Sequence, residues 1–509
     1  MENEQREIPH SENIFLEQKN LDARDRSIQE AVSKIAEALT NIELAEDEKF
    51  SVPPEVVIVG GYVRDLLFRN FFKVGKKSKD ADLEIYGVPI HRVKEVLERL
   101  FPGKVETTGA AFQVFKVFLG NGLDVDVAIP RVESKKGGGH KDYEVTGVPD
   151  LPKIEAARRR DFTINAIFLK PKTGEIYDYY GGQKDLENKI LRVVDPVTFS
   201  EDALRVMRAV QFSARLGFSV DPESFKLMKE LVASPEFQII PVNEKAKKPA
   251  GSESLAEEGL SAGRFKDEWE KLLLKSEKVS FGLELMRELG IIDKIYPELS
   301  AVISGADGEA KWQKIKGQMD AVLAFLRKSE RVFSDDEKEI ILFGLLCQDM
   351  KVDDIKKFLD DKKRFTFNKK NVLDKAAILA KENHRLMEIF SEKQKAEVTE
   401  RQFAGKLVEL LESLGENNEL YLATYEMTGD ETQKQAVAEA QKVIEKFELS
   451  AKPLITGPDI FSLDLGIKPG EMVGRIMKTI KEKRRSGEIL TRSEALAALP
   501  EIVALELKK

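Results

Sequence analysis

Lys79-Asp80-Ala81-Asp82-Leu83 leads into a stretch that alternates polar and apolar residues as far as Tyr86. In an extended strand, residues i and i+2 face the same side, so Asp80 and Asp82 point together. Adjacent carboxylates repel unless a cation neutralises them, and the pair therefore implies a divalent metal. Asp124 and Asp126 share a face of a second strand candidate, Leu123 to Ala128. Two carboxylates from one strand and one from its neighbour can bridge two Mg²⁺ ions about 3.5–4 Å apart, which stabilises both attacking and leaving oxygens in phosphoryl transfer. Asp126 is favoured over Asp124 because it stands five residues before Arg131. A solvent-facing strand edge would carry the same acidic pattern.

Other residues suit an anionic, planar ligand. Val59-Gly60-Gly61-Tyr62-Val63-Arg64-Asp65 follows an apolar run directly. Two glycines allow a tight turn, and the helix that starts there offers free N–H groups to a phosphate. Arg158-Arg159-Arg160-Asp161 precedes Phe162-Thr163-Ile164-Asn165. Guanidinium forks match phosphate oxygens and sugar hydroxyls. Ser200 to Phe212 reads as one amphipathic helix, with Ser200 as N-cap and Glu201 and Asp202 in its first turn. Ala203, Met207, Val210 and Ala214 form its core stripe. Asp202 and Arg205 lie three apart, so their side chains can meet a ligand from one side. Asp accepts and Arg donates, which matches the mixed edge of a nucleobase.

These residues need a scaffold. Val56-Val57-Ile58-Val59, bounded by Pro53-Pro54 and Gly60-Gly61, reads as a buried strand. Val114 to Leu119 is another, and Asn121-Gly122 turns it into Leu123–Ala128 as a hairpin. Arg92 to Leu100 reads as a helix between strands, and the mixture predicts an α/β head over residues 51–195. Ahead of it, residues 1–50 carry a helical stretch from Ile28 to Leu44, expected to be a solvated extension that packs on one face. From Pro196 the pattern is helical almost throughout. It divides into a neck (196–275) with a flexible insertion at 243–263, a body (276–390) and a tail (391–509). The expected class is thus multidomain α+β, a mixed α/β head followed by all-α neck, body and tail.

The chain has 509 residues, a prior of about three to four domains. Apolar residues make up 42% and charged residues 33%, which excludes wholesale disorder. Lys and Arg total 81 against 89 Asp and Glu, a net charge of −8. That balance does not exclude a nucleic-acid partner, because local patches matter more than the sum. The single cysteine, Cys347, excludes a disulfide framework and fits a reducing compartment. The start, Met1-Glu-Asn-Glu-Gln, shows no secretory signal, and no apolar run approaches the ~20 residues that span a bilayer. A cytoplasmic protein with no membrane partner is expected.

Gly60-Gly61-Tyr62-Val63-Arg64-Asp65, Asp80-Ala81-Asp82, Arg159-Arg160-Asp161-Phe162-Thr163-Ile164-Asn165-Ala166 and Glu201-Asp202-Ala203-Leu204-Arg205 occur in one order over about 150 residues. In order and spacing this set resembles the class II tRNA nucleotidyltransferases, the CCA-adding enzymes and bacterial poly(A) polymerases. The likeness is strongest over residues 55–220 and weaker towards the C-terminus. It implies CCA addition to tRNA from CTP and ATP, without a nucleic-acid template and with release of diphosphate. Poly(A) synthesis, or addition of only CC or A, is the alternative, and a non-catalytic RNA-binding paralogue a further one. It implies no protein partner. By the resemblance Asp80 and Asp82 hold Mg²⁺ (two ions expected), with Asp126 in support. The nucleotide set is Gly60, Gly61, Arg64, Arg159, Arg160, Asp161, Asn165, Asp202, Arg205 and Arg208, with Asp202 and Arg205 as the base-selecting pair. Residues 131–150, with Arg131, Lys135, Lys136 and His140, resemble the family's mobile loop. One departure is in the neck, where Gly263-Arg264 lacks the Glu that often precedes the Arg. Leu346-Cys347-Gln348-Asp349 looks like a decayed metal-phosphohydrolase pair, with Gln348 in the His position. Imidazole is the better ligand, so a second hydrolytic site is not expected. Basic residues from Lys478 to Arg485 are candidate tRNA contacts.

Overall fold

The structure is a computed structural model that describes residues 23–72, 80–108, 114–135, 143–240, 260–329, 332–360, 370–428, 430–463, 467 and 469–507. Two compact units divide the chain, Met1–Glu268 and Trp269–Lys509. The expected architecture is present: a mixed sheet in the first unit, and helices throughout the described part of the second.

In the first unit, α1 (Ala23–Thr40) precedes β1 (Glu55–Val59), α2 (Gly61–Phe72), β2 (Asp80–Tyr86), α3 (Ile90–Leu100), β3 (Val105–Thr108), β4 (Val114–Gly120) and β5 (Leu123–Ala128). After β6 (Arg131–Lys135) and β7 (Tyr143–Gly147) come α4 (Lys153–Arg158), β8 (Phe168–Leu169), β9 (Ile176–Tyr177) and α5 (Gly182–Glu187). The main sheet runs in the order β3-β4-β5-β2-β1-β8-β9. Only β2 and β5 pair in parallel within it. Asn121 and Gly122 have φ of 55° and 70°, the left-handed pair that a two-residue hairpin requires.

Strand alternation sorts the sheet into unlike faces. Ala81, Leu83 and Ile85 of β2 and Val125 and Val127 of β5 are buried at 1% exposure or less. The intervening residues are Asp80, Asp82 and Glu84 on β2, and Asp124 and Asp126 on β5. From Ala23 onward the N-terminal stretch packs on one face, as expected. Helix α1 packs against β1, β2, β4 and β5, and Ile28, Val32, Ile35 and Leu39 are fully buried.

The expected single helix from Ser200 is two helices, α6 (Pro196–Ser200) and α7 (Leu204–Leu216). Asp195 caps α6 by accepting from the Thr198 amide at 2.8 Å. The Ser200 hydroxyl donates back to the Pro196 carbonyl at 2.8 Å, so it closes a helix rather than opening one. Met207, Val210 and Ala214 are fully buried as expected. Helix α8 (Pro222–Ala233) follows. Short parallel pairs interrupt the expected all-helical neck: β10 (Ile190–Leu191) with β11 (Ser219–Val220), and β12 (Ile239–Ile240) with β13 (Leu260–Ser261). Residues 241–259 of the expected insertion lie outside the described residues, and its last residues are β13 and the start of α9 (Ala262–Lys275).

In the second unit, Gln348 is buried and donates to Gln318, whose amide donates to the Thr428 carbonyl at 2.7 Å and to Gln433 at 3.3 Å. The decayed motif is thus part of an amide network in the helical core. The basic run Lys478–Arg485 is largely neutralised within its own unit. Lys481 and Arg485 pair with Glu412, Lys483 with Glu488 at 2.5 Å, and Arg484 is buried on the Lys452 and Ser450 carbonyls. Among the described residues Lys478, 78% exposed, pairs with Glu482 alone, at 3.9 Å. The helix therefore presents much less free positive charge than its sequence suggests. Among the described residues no helix is long and apolar enough to cross a membrane.

Truncating a buried aliphatic side chain typically costs about 2–5 kcal/mol. Ile35→Ala is expected to cost an amount in that range in urea unfolding, whereas exposed Lys34→Ala stays within about 0.5 kcal/mol. Equal midpoints for the two variants would show that α1 is not part of the head's core.

Candidate active site

The register of β2 on β5 assembles the acidic floor. Asp80 stands opposite Asp124, and Asp82 opposite Asp126. Two aspartates from one strand and one from the next therefore share a face, as the spacing predicts. Asp82 is pushed up to about 6, first because the surrounding protein strips water from it, then by repulsion from Asp80, Asp126 and Glu84. Arg160 acts in the opposite direction.

A cleft of about 420 Å³ opens over this floor, lined by Asp82, Glu84 and Asp126 and by Arg131, Arg159, Arg160 and Arg205. Acids at the base and guanidinium groups around them can take a metal-bound polyphosphate. Gly60 closes one side with φ 72°. A Cβ there would lie 3.1 Å from Arg160 Nη1 and 3.3 Å from Asp82 Oδ2, so a larger residue would crowd both. Gly61 begins α2, and the first amides of a helix have no partner within it, as a phosphate site requires.

Two residues that sequence reasoning passed over belong here. Glu84 is the next same-face position after Asp82, so the alternation that found Asp80 and Asp82 could have found it. Its carboxylate accepts from Arg160 Nη2 at 2.6 Å and from the Tyr86 hydroxyl at 3.0 Å. Lys116 of β4 stands opposite Asp126. Its ammonium bridges Asp124 at 2.8 Å and Asp126 at 2.7 Å, a contact that only the sheet order reveals.

Three expected nucleotide ligands, Arg64, Asp161 and Asn165, are turned inward, and a fourth, Arg208, is partly exposed and joins their network. Asp161, 7% exposed, accepts from Asn165 Nδ2 at 2.9 Å, the Phe162 amide at 2.8 Å and Arg208 Nε at 2.6 Å. Arg64, 4% exposed, donates to Asn165 Oδ1 at 2.8 Å and pairs with Asp65. Arg64 and Arg208 both lie over the Phe212 ring, 5.1 and 5.5 Å from its centroid. Burial alone would raise the Asp161 carboxyl, but Arg208, Asn165 and the Phe162 amide hold it below the usual carboxylate range. Buried polar groups must be satisfied, and here each satisfies another. Arg64, Asp161, Asn165 and Arg208 thus tie α2, the segment after α4 and α7 together beneath the cleft.

The base-selecting pair is also arranged differently. Among the described residues the Arg205 guanidinium does not pair with the Asp202 carboxylate; its amide donates to the Asp202 carbonyl at 2.9 Å, and the guanidinium donates to the Thr198 and Arg159 carbonyls, both at 2.8 Å. Asp202 instead receives Arg264 of α9, with Nη2 2.6 Å from Oδ2 and Nη1 3.5 Å from Oδ1. The acceptor–donor combination is present, with Arg264 as the donor. Spacing within one helix could not show this, because Arg264 lies 62 residues away.

Of the expected mobile loop, Arg131–Lys135 and Tyr143–Gly147 form an antiparallel ribbon, and Arg131 lines the cleft. Lys136 and His140 lie outside the described residues. Among the described residues, no three His, Cys, Asp or Glu side chains converge as a closed metal cage. The open acidic floor suits a cation such as Mg²⁺, which is usually held by one or two carboxylates together with substrate phosphates and water.

Comparison with known proteins agrees with this geometry. Residues 56–192 match the family model described as Poly A polymerase head domain. Residues 258–303 match that described as Probable RNA and SrmB-binding site of polymerase A. The chain is 32% identical over 299 residues to a Multifunctional CCA protein of Vibrio vulnificus (strain CMCP6), covering 58% of this chain and 63% of the relative. It is 33% identical over 255 residues to the protein of that name from Stenotrophomonas maltophilia (strain K279a), covering 49% and 52%. The chain thus spans a little over half the length of these curated relatives. In fold it is similar to a CCA-adding enzyme solved with CTP, at 20% identity and TM-score 0.62, covering 97% of this chain and 98% of that one. The Thermotoga maritima CCA-adding enzyme complexed with tRNA is similar at 19% identity and TM-score 0.60, covering 97% and 98%. Over residues 56–192 the chain is thus similar to the poly(A) polymerase head domain, and in fold it is similar to CCA-adding enzymes.

Proposed function

We propose that this chain is a nucleotidyltransferase that adds C, C and A to the 3′ end of tRNA, taking CTP and ATP and releasing diphosphate. The observation that carries the reading is the in-register pairing of Asp82 with Asp126 beneath a ring of arginines. The names of the curated relatives favour CCA addition over poly(A) synthesis.

Asp80, Asp82 and Asp126 fit Mg²⁺, because a hard cation takes carboxylate oxygens and relieves the repulsion that raises Asp82. Bound there, two such ions would polarise the transferred phosphoryl group and neutralise the developing charge. The chain's own residues do the positioning. The first amides of α2 and the guanidinium groups of Arg159 and Arg205 receive the triphosphate oxygens. Asp202 accepts from the exocyclic amine that cytosine and adenine share, while Arg264 donates to the adjacent ring nitrogen. Uracil and guanine place a carbonyl against the carboxylate and leave both groups unpaired.

Incubating purified protein with tRNA lacking its 3′ end is expected to add two residues from CTP alone and one more when ATP is supplied. A long tail from ATP alone would instead identify a poly(A) polymerase. Asp80→Ala and Asp82→Ala are each expected to lose several kcal/mol of transition-state stabilisation, orders of magnitude in turnover, with tRNA affinity nearly unchanged. Turnover comparable to the parent would remove the metal assignment. Asp202→Ala and Arg264→Ala are expected to act on selection more than on rate. The discrimination at stake is about 1–3 kcal/mol, the worth of a bidentate base contact. In a four-nucleotide competition, UTP and GTP should gain on CTP and ATP. An equal loss for all four nucleotides would reduce Asp202 and Arg264 to a structural ion pair.

A further inference from the structure

We propose that Glu84 is a positioning residue that holds Arg160 away from Asp82, leaving the Asp80–Asp82–Asp126 floor open to a divalent cation. The proposal rests on the nucleotidyltransferase reading above and adds a role for a residue outside the metal and nucleotide sets.

The geometry sets two carboxylates in competition for one guanidinium. Asp82 and Glu84 are two residues apart on one face of β2. Arg160 arrives from the segment after α4, its guanidinium 5.4 Å from the centre of the Phe168 ring. Its Nη2 is committed to Glu84 at 2.6 Å. Its Nη1 and Asp82 Oδ2 both lie close to Gly60, at 3.1 and 3.3 Å from the position a Cβ would take. The guanidinium and the Asp82 carboxylate thus border the same glycine and attract each other, while the guanidinium's hydrogen bond goes to Glu84.

Among the described residues Glu84 is the acceptor that hydrogen-bonds the Arg160 guanidinium, Asp82 attracts it without bonding it, and Arg160 Nε is buried without a hydrogen-bond partner. Glu84 is itself held from its other side by the Tyr86 hydroxyl at 3.0 Å. Burial, and then Glu84, push the Tyr86 phenol upward, so it stays protonated and keeps donating. Glu84 stands opposite Ala128 on β5, so no carboxylate of that strand faces it directly. If Glu84 loses its charge, the nearest anion for Arg160 is Asp82, to which it is already electrostatically attracted. A guanidinium–carboxylate pair at Asp82 would then have to break before a cation could bind.

The test is Mn²⁺ binding, followed by the electron paramagnetic resonance of free Mn²⁺, on the full chain with the metal alone. The proteins are the parent, Glu84→Gln, Glu84→Asp, Arg160→Met and the double variant Glu84→Gln/Arg160→Met. Glu84→Gln is expected to weaken Mn²⁺ binding about tenfold, the usual effect of one adjacent opposite charge on a carboxylate's cation affinity. The double variant should bind like Arg160→Met, because no guanidinium remains to occupy Asp82. Glu84→Asp keeps the charge and should stay near the parent, which also covers the case in which Glu84→Gln does not fold. Two results overturn the proposal: unchanged affinity in Glu84→Gln, or a double variant as weak as Glu84→Gln, which would make Glu84 a direct ligand. A Glu84→Asp variant as weak as Glu84→Gln also overturns it. A parent that binds no Mn²⁺ contradicts the nucleotidyltransferase reading itself, and is thereby told apart from a failure of Glu84 alone.

Discussion

Repulsion among the carboxylates on one face of β2 and β5 is the constraint on which the rest of the site depends. Parallel pairing sets Asp82 directly beside Asp126, with Asp80 and Asp124 in the next row. The opposite face of those strands is apolar and buried, so the acids cannot turn over without exposing a core. The protein therefore surrounds them with fixed cations. Lys116 covers Asp124 and Asp126, while Arg160 stands between Glu84 and Asp82. Those counterions reduce the charge without removing it, since Asp82 remains raised. A floor left partly uncompensated suits a cation that arrives with its substrate.

Around the floor, the arginines divide into two groups that residue type alone does not separate. Arg131, Arg159, Arg160 and Arg205 line the cleft. Buried Arg64 and partly exposed Arg208 are bonded within the protein instead, to Asn165 and Asp161. Three guanidinium groups, those of Arg64, Arg208 and Arg215, approach the Phe212 ring within 5.7 Å. Such stacking keeps cations in a protein interior at low cost, because the ring face is electron-rich and guanidinium is weakly hydrated. This layer fixes α7 against α2, and with it the turn that carries Asp202. Changes at Asp161 or Arg208 are therefore changes to the platform as well as to any ligand above it.

Strands were readable because a period of two needs only neighbours in sequence. The continuous apolar run Val56–Val59, the alternations at Leu83–Tyr86 and Leu123–Ala128, and the Asn121-Gly122 turn each specify their own conformation. Pairings that cross the fold were not readable. Arg264 meets Asp202, Lys116 meets Asp126 and Arg205 meets the Thr198 carbonyl only once the sheet and helices have packed. Ser200 misled for a local reason: Asp195 with Pro196 is the stronger helix start, and it came four residues earlier. Helix α1 was legible as an element that packs on one face, because Ile28, Val32, Ile35 and Leu39 recur as a narrow apolar stripe among polar residues. The arginine motif was recognised, but which of its members face the cleft depends on burial that spacing does not encode.

The central claim is that the floor formed by Asp80, Asp82 and Asp126 binds a divalent cation together with a nucleoside triphosphate. Anomalous scattering from crystals grown with Mn²⁺ and CTP tests it most directly. The account predicts a manganese peak at Asp80 and Asp82, with triphosphate density running towards the first amides of α2. Manganese found only away from these carboxylates, with CTP bound elsewhere, would contradict it.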